Sequence, residues 1–405
     1  MSLYPYQEAG ARWLAERPRA FLADAPRVGK TSQAVRACDH VGADKVLVVC
    51  PAIARTVWKR GFERWAFAVP NALTIESWDV VARRPDSFHG DWDVVILDEA
   101  HYAKTRTAKR TEAVYGKGCK GGGGVIENAG FVWPLSGTPC PNHAAELWTH
   151  LRALRPEALA QRNVLQYHEF LKRYCVTIEG SYGPIVVKNK NTAELKAMLE
   201  PFMLRRMMQD VHAEVPRVRF FDEALQDSKP IDEFEGEFED GMELPTATER
   251  REVGERKAPM VVQRLLEDLA DPTHKCVVFA YHKSVIDMLK HGLAAHNPVV
   301  ITGDTSDPAR DRAQQDFQNR GDVQVFIGQI NACHTAIDLS RAHTVEVVEP
   351  SWVPNINVQA AMRCQNIAQR MPVTARMFSV AGTLDDAITR TLVRKASLLS
   401  ELFGE

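Results

Sequence analysis

Lys30 carries the clearest chemistry in this chain. It stands in Asp24-Ala-Pro-Arg-Val-Gly29-Lys30-Thr31-Ser32, after the apolar run Ala20–Ala23 and ahead of a helical pattern over Thr31–His40. Glycine, lysine and a hydroxyl at the head of a helix form the second half of a phosphate-binding loop, G-x-x-x-x-G-K-[ST]. Asp24 occupies the place of its first glycine. Backbone N–H groups of Gly29 to Ser32 would cradle phosphates, Lys30 would reach the β/γ oxygens, and the Thr31 hydroxyl would ligate Mg²⁺. The metal needs a second oxygen donor. Val94-Val-Ile-Leu-Asp98-Glu99-Ala100-His101 supplies one, as a buried-type strand that ends in two carboxylates. Asp98 would hold Mg²⁺ through water and Glu99 would polarise the attacking water. Gly-Lys-Thr alone is common, and a strand with an acidic cap is commoner. The two in one α/β chain point to ATP as cofactor and to its hydrolysis.

The elements that must position these residues read as a parallel-sheet α/β fold. In the first half, apolar runs at Ala20–Ala23, Val46–Cys50, Val94–Leu97 and Phe131–Leu135 alternate with helical patterns at Tyr6–Glu16, Thr31–His40 and Ile53–Trp65. In the second, strands are expected at Cys276–Ala280, Val299–Thr302, Val323–Ile327, Thr344–Val348 and Val373–Val380. Helices are expected there at Ser284–Ala295, Ala309–Phe317 and Asn357–Cys364. A length of 405 residues suits two or three domains, and two similar α/β halves are the economical reading. The boundaries expected are 1–213, an acidic inter-lobe segment 214–258, and 259–405. Gly116–Gly124 reads as a mobile loop.

Charge is unevenly placed. The formal total is −2, yet Asp222–Glu243 holds ten acidic residues against one lysine, leaving +7 on the rest. A near-neutral total is thus compatible with a basic groove. Within the acidic run, Phe234 and Phe238 are four apart, so a charged surface helix and a tether stay equally open. No apolar stretch is long enough to span a membrane, and the N-terminus lacks a basic region followed by an apolar core. Eight scattered cysteines without a Cys-x-x-Cys pair fit buried free thiols in a reducing, cytoplasmic setting. No His-Glu-x-x-His or Gly-x-Ser-x-Gly motif supports a zinc or serine hydrolase.

Asp98-Glu-Ala-His101, followed by Leu135-Ser136-Gly-Thr138-Pro139, resembles the superfamily II helicase-like ATPases, and further segments resemble the Swi/Snf-type DNA translocases. Leu3-Tyr-Pro-Tyr-Gln7 is similar to that family's adenine-reading segment. Cys50-Pro-Ala with Trp58-Lys59 is similar to its first DNA-contacting motif, and Pro201-Phe-Met-Leu-Arg205-Arg206 to the signature closing its first lobe. Val278–His282 and Thr302–Ser306 resemble the opening of the second lobe. Gln359-Ala-Ala-Met-Arg363-Cys-Gln-Asn366 resembles the arginine-finger motif, with Gly382-Thr-Leu-Asp385 after it. The resemblance runs from Leu3 to Ile388. It implies two RecA-like parallel-sheet lobes with an ATP cleft between them. Gln7, His101 and Gln359 would join the nucleotide site, Arg363 would be the arginine finger, and Ser136 and Thr138 would relay hydrolysis to lobe movement. The nearest flavour is the compact branch with the fork-remodelling, strand-annealing enzymes, and compactness suggests a bacterial or viral source.

Three departures bear on turnover. Asn366 stands where the family has a second arginine, Ala332–Asp338 replaces a Gly-rich turn, and Arg27 replaces a glycine. Arg55, Lys59 and Arg60, with Arg64, and Lys104 and Arg106, with Lys109 and Arg110, are the candidates for sequence-independent contact to duplex or forked DNA. A solvated basic face is the plain alternative for each. Trp58 and Trp65, seven apart, suit core packing better than base stacking. The expected activity is ATP-dependent translocation on DNA in replication, recombination or repair. Three rivals stay open: a strand-separating DNA or RNA helicase, a nucleotide-gated DNA clamp with weak hydrolysis, and a subunit that needs a protein partner.

Overall fold

A computed structural model describes residues 2–180, 183–225, 247–333, 337–351, 353–366 and 369–380, together with Thr383, Asp385 and Leu392. Phe234 and Phe238, most of the acidic run, His334–Ala336 of the altered turn, Ile367, Gly382, Leu384 and Ile388 lie outside the described residues. The chain divides into two compact units, the first through Val211 and the second from His212. Each is built on one six-stranded, all-parallel sheet.

In the first unit the strands are β1 (Phe21–Leu22), β2 (Lys45–Cys50), β3 (Ala72–Ser77), β4 (Val94–Asp98), β5 (Phe131–Leu135) and, after a separate hairpin, β8 (Met203–Leu204). Their order is β3-β2-β4-β5-β1-β8. β2 and β4 are nearly continuous apolar runs because both sheet faces are covered. Val46, Val48 and Ile96 fill one layer, and Leu47, Val95 and Leu97 the other. Register matters most here. Leu22 lies opposite Leu135, and Leu135 lies opposite Asp98. The loops leaving β1, β5 and β4 therefore start level, on three adjacent strands, at the carboxyl edge where parallel sheets bind ligands.

Between β5 and β8 an antiparallel hairpin forms from β6 (Cys175–Gly180) and β7 (Gly183–Asn189). The apolar-run reading had no strand there. The Gly116–Gly124 segment is a closed turn rather than an open loop. Gly121 N–H donates to Tyr115 C=O, Val125 N–H to Ala113 C=O, and a Cβ on Gly124 would sit 2.3 Å from the Gly116 nitrogen.

The second unit orders its strands β11 (Val299–Ile301), β12 (Val325–Gln329), β10 (Cys276–Ala280), β13 (Thr344–Val347), β14 (Thr374–Val380) and β9 (Arg219–Leu225). β9 opens the acidic run, yet it is a strand paired to β14 along its whole length. Ion pairs absorb its charge: Glu223 meets Arg264 at 3.0 Å and Arg376 at 3.7 Å. The helix Ala247–Asp268 runs through the far end of the segment expected between the lobes. The described parts of 214–258 thus belong to the second unit. All eight cysteines are buried free thiols. No helix among the described residues is long and apolar enough to cross a membrane.

Candidate active site

The phosphate loop joins β1 to helix α2 (Lys30–His40), and Gly29 caps that helix at φ +93°. This left-handed backbone favours glycine. A Cβ there would also lie 2.2 Å from Gln7 Nε2, so the loop fits closely against helix α1 (Pro5–Ala15). Gln7 is buried, accepts from Tyr4 N–H at 3.1 Å and donates to Val28 C=O at 3.3 Å. Tyr6 donates its hydroxyl to the same carbonyl at 3.2 Å, and burial pushes that hydroxyl up to about 12. Arg27 holds φ +68°, a costly backbone for a residue with a side chain. Lys30 donates to Asp24 C=O at 2.8 Å and Ala25 C=O at 3.3 Å, two bonds that loop carbonyls make with a cation. Ser32, buried in the first turn, donates to Gly29 C=O.

Asp24, read as a departure from the glycine pattern, has a structural partner the sequence did not announce. It is fully buried and takes a two-point contact from Arg206, Nε to Oδ1 at 3.0 Å and Nη2 to Oδ2 at 2.5 Å, plus Gln33 Nε2 at 3.0 Å. Arg206 also donates to Tyr6 C=O at 2.6 Å and Gln33 Oε1 at 2.6 Å. Its neighbour Arg205 donates from Nη1 to Ala23 C=O at 2.8 Å and Gly137 C=O at 3.1 Å. Burial pushes the Arg205 guanidinium down to about 10.

Asp98 ends β4. Its carboxylate accepts from Trp58 Nε1 at 2.8 Å, and its carbonyl from Trp78 Nε1 at 2.8 Å. Trp58, buried on helix α3 (Arg55–Trp65), is thus a core residue with a polar task, while Trp65 is half-buried. Burial and the adjoining Glu99 raise the Asp98 carboxyl to about 6, against the pull of Trp58 and Lys30. Glu99 follows at φ +49°. Its Oε2 lies 3.3 Å from His101 Nδ1, which lies 3.1 Å from Ser136 Oγ; Ser136 in turn accepts from Thr138 N–H at 3.1 Å. Acidic edge and Ser-Gly-Thr turn are therefore one connected string.

A hydroxyl and a carboxylate are hard oxygen donors of the kind Mg²⁺ takes. Helix α3 touches both: Trp58 bonds Asp98, and a Cβ on Gly61 would meet Thr31 Cγ2 at 3.1 Å. Trp58 and Gly61 are three apart on one helical face, so the two donors share a neighbourhood and the residues suit the ion.

In the second unit, Arg363 is buried and donates from Nε to Gln359 C=O at 3.1 Å. Gln359 is also buried, and its Oε1 has no hydrogen-bond partner among the described residues. Asn366 is half-buried, its carbonyl taken by Gln369 N–H. The basic candidates divide. Lys59, Arg60 and Arg106 are exposed, and Arg106 rests on the Tyr167 ring at 5.1 Å. Exposed Arg55 pairs with Glu76 at 3.2 Å. Lys104 pairs with buried Glu146 at 2.9 Å, and Arg110 with Asp79 at 2.6 Å. Periodicity had no means of finding those carboxylates.

An SNF2-related domain matches residues 70–220 and a helicase conserved C-terminal domain matches 257–368. The first range holds Asp98–His101, Ser136–Thr138 and Arg205–Arg206, and the second holds Gln359, Arg363 and Asn366. Among individual proteins, the chain is 28% identical over 433 residues to the Bos taurus SWI/SNF-related matrix-associated actin-dependent regulator of chromatin subfamily A-like protein 1, covering 99% of this chain and 45% of that protein. It is 25% identical over 452 residues to the Mus musculus DNA annealing helicase and endonuclease ZRANB3, covering 98% and 40%. The chain thus spans under half the length of these curated relatives. The Sulfolobus solfataricus SWI2/SNF2 ATPase core in complex with dsDNA aligns at 19% identity and TM-score 0.46, over 100% of this chain and 93% of that one.

Proposed function

We propose that this chain is an ATP-driven motor that moves along the backbone of duplex or branched DNA, in the service of replication, recombination or repair. The observation that carries the reading is the level row Leu22–Leu135–Asp98, which starts the phosphate loop, the Ser136–Thr138 turn and the Asp98–Glu99 pair from one sheet edge. On this reading Lys30 leaves the carbonyls of Asp24 and Ala25 for the β/γ phosphate oxygens, and Gln7 faces the adenine. Thr31 and Asp98 hold Mg²⁺, which would neutralise charge on the phosphates. Glu99, steadied by His101, orients the attacking water. Arg363 stabilises charge on the transferred phosphate, and Gln359 joins it. Ser136 and Thr138 pass the change onward, while Arg55, Lys59, Arg60, Lys104 and Arg106 meet DNA phosphates. The names of the relatives, one of them a DNA annealing helicase, support DNA over RNA.

Asn366 favours one second reading, a DNA clamp gated by nucleotide with slow turnover. Steady-state ATP hydrolysis separates the two, measured without nucleic acid and with single-stranded, duplex and forked DNA and RNA, with Lys30→Ala as the blank. Strong stimulation by duplex or forked DNA, lost in Lys30→Ala, is expected. RNA-only stimulation would move the reading to an RNA helicase. Negligible hydrolysis with ATP-dependent DNA binding would leave the clamp.

A further inference from the structure

The β6–β7 hairpin belongs to neither large sheet, and none of the nucleotide motifs lies on it. Residues Val176 to Glu179 are all exposed, so both faces of β6 meet solvent. Val176 and Ile178, two apart on one face, are 39% and 41% exposed. Ile178 lies opposite half-buried Ile185, and Val176 lies opposite exposed Lys188. One face thus shows an aliphatic stripe with a cation at its root end. Lys172 and Lys190, both exposed, flank that root.

The base of the hairpin is fixed, unlike a loose flap. Buried Asn189 accepts from Ala144 N–H at 3.2 Å, and Lys190 N–H donates to Tyr174 C=O at 2.8 Å. Ala144 lies in the segment that continues the Ser136–Thr138 turn and also carries Glu146, the partner of Lys104. The helix Tyr167–Tyr174 leads directly into β6, and it begins at the ring on which Arg106 rests. Its eight residues span about 12 Å. The hairpin is therefore rooted beside the basic residues proposed to meet the DNA backbone.

We propose that this hairpin is a wedge that reads the branch point of DNA, placing Val176 and Ile178 against bases exposed where the duplex opens. This rests on the DNA-motor reading and narrows its substrate to branched DNA. An intact duplex presents phosphates and groove edges, against which aliphatic side chains bury little. Base faces become available only where stacking is broken, and aliphatic wedges between base steps are a known mode of contact. Lys172, Lys188 and Lys190 supply the charge that the flanking phosphates require.

The test uses the full chain. Val176→Thr/Ile178→Thr keeps both side chains β-branched and exposed, so the strand keeps its preference while the stripe becomes polar. ATP hydrolysis is titrated with plain duplex and with forked DNA. The expected result is an unchanged half-saturating concentration of plain duplex and about a tenfold rise for the fork, the scale of losing two apolar contacts. As an independent arm, Ile178→Cys places one reachable thiol in a protein whose own eight are buried. A photocrosslinker there should form adducts at nucleotides next to the branch and none on plain duplex. An unchanged fork response in the double variant would overturn the wedge. So would crosslinks to protein alone, the outcome for a protein-docking face, or equal crosslinks to duplex and fork. If the parent answers to no DNA at all, the motor reading itself falls, and the plain-duplex titration shows that separately.

Discussion

Replacing Arg206 by alanine should damage the first unit far more than neutralising its partner Asp24. Arg206→Ala would leave a carboxylate with no solvent exposure and, among the described residues, one remaining side-chain donor, Gln33 Nε2 at 3.0 Å. Breaking a buried pair in this way costs about 3–5 kcal/mol. Asp24→Asn is milder. Arg206 keeps 17% of its side-chain surface in solvent and still has Tyr6 C=O and Gln33 Oε1 as acceptors, so about 1–3 kcal/mol is expected. Urea unfolding followed by tryptophan emission reads the first unit selectively, because seven of the eight tryptophans precede Val211. At a slope of about 2 kcal/mol per molar urea, Arg206→Ala should lower the midpoint by about 1.5–2.5 M. Asp24→Asn/Arg206→Met, which removes both charges, should recover much of the loss. Equal small losses in the two single variants, or strict additivity in the double, would refute the claim that burial of Asp24 sets the cost.

Three further outcomes are expected. His150 is fully buried, shares a 2.8 Å hydrogen bond between its Nδ1 and the Tyr115 hydroxyl, and is pushed down to about 3 by burial, so it stays neutral when folded. Its stabilising share is present above about pH 6.5 and is lost as pH falls towards 3; about 2 kcal/mol should go between pH 7 and pH 5. Urea melts of His150→Gln should show a flatter pH dependence. Asn366→Arg should raise steady-state turnover if the missing second arginine limits hydrolysis, and an unchanged kcat would remove that explanation. Arg205→Lys keeps the charge but loses the planar guanidinium that reaches two carbonyls, so kcat should fall about tenfold with the KM for ATP little changed; a rise in KM alone would mark Arg205 as a mere support of binding.

How far each feature was legible in the sequence depends on how it is encoded. The strands Val46–Cys50, Phe131–Leu135 and Cys276–Ala280 coincide with their apolar runs because a strand covered on both faces must be apolar throughout. Gly29–Ser32 and Asp98–Glu99 were singled out in the sequence by residue type and spacing, and the strands that lead into them end level on one sheet edge. The hairpin was not, since its exposed strand mixes Val, Thr, Ile and Glu with no core to impose alternation. β9 was hidden by its acidic content, which its cationic neighbours offset only in three dimensions. The partners of Asp24, Asp98 and Lys104 lie 182, 40 and 42 positions away, separations at which no local pattern speaks.

These long-range partners also explain why Asp24 is tolerable in place of a glycine. A phosphate loop is a nest of N–H donors for an anion, and a bare carboxylate beside it would oppose that field. Here the carboxylate is turned into the core and matched by Arg206, so its charge is answered before it meets the loop. The same arginine holds Tyr6, and Arg205 holds Ala23 and Gly137. Two adjacent residues near the end of the first unit therefore grip helix α1, the phosphate loop and the Ser-Gly-Thr turn together. Arg205 and Arg206 stand only a few residues before the chain enters the second unit at His212. A site that only bound nucleotide would need the loop and its donors. On the motor reading proposed above, the grip on all three at the exit of the unit would turn a change at the phosphates into a pull on the chain as it leaves the first unit.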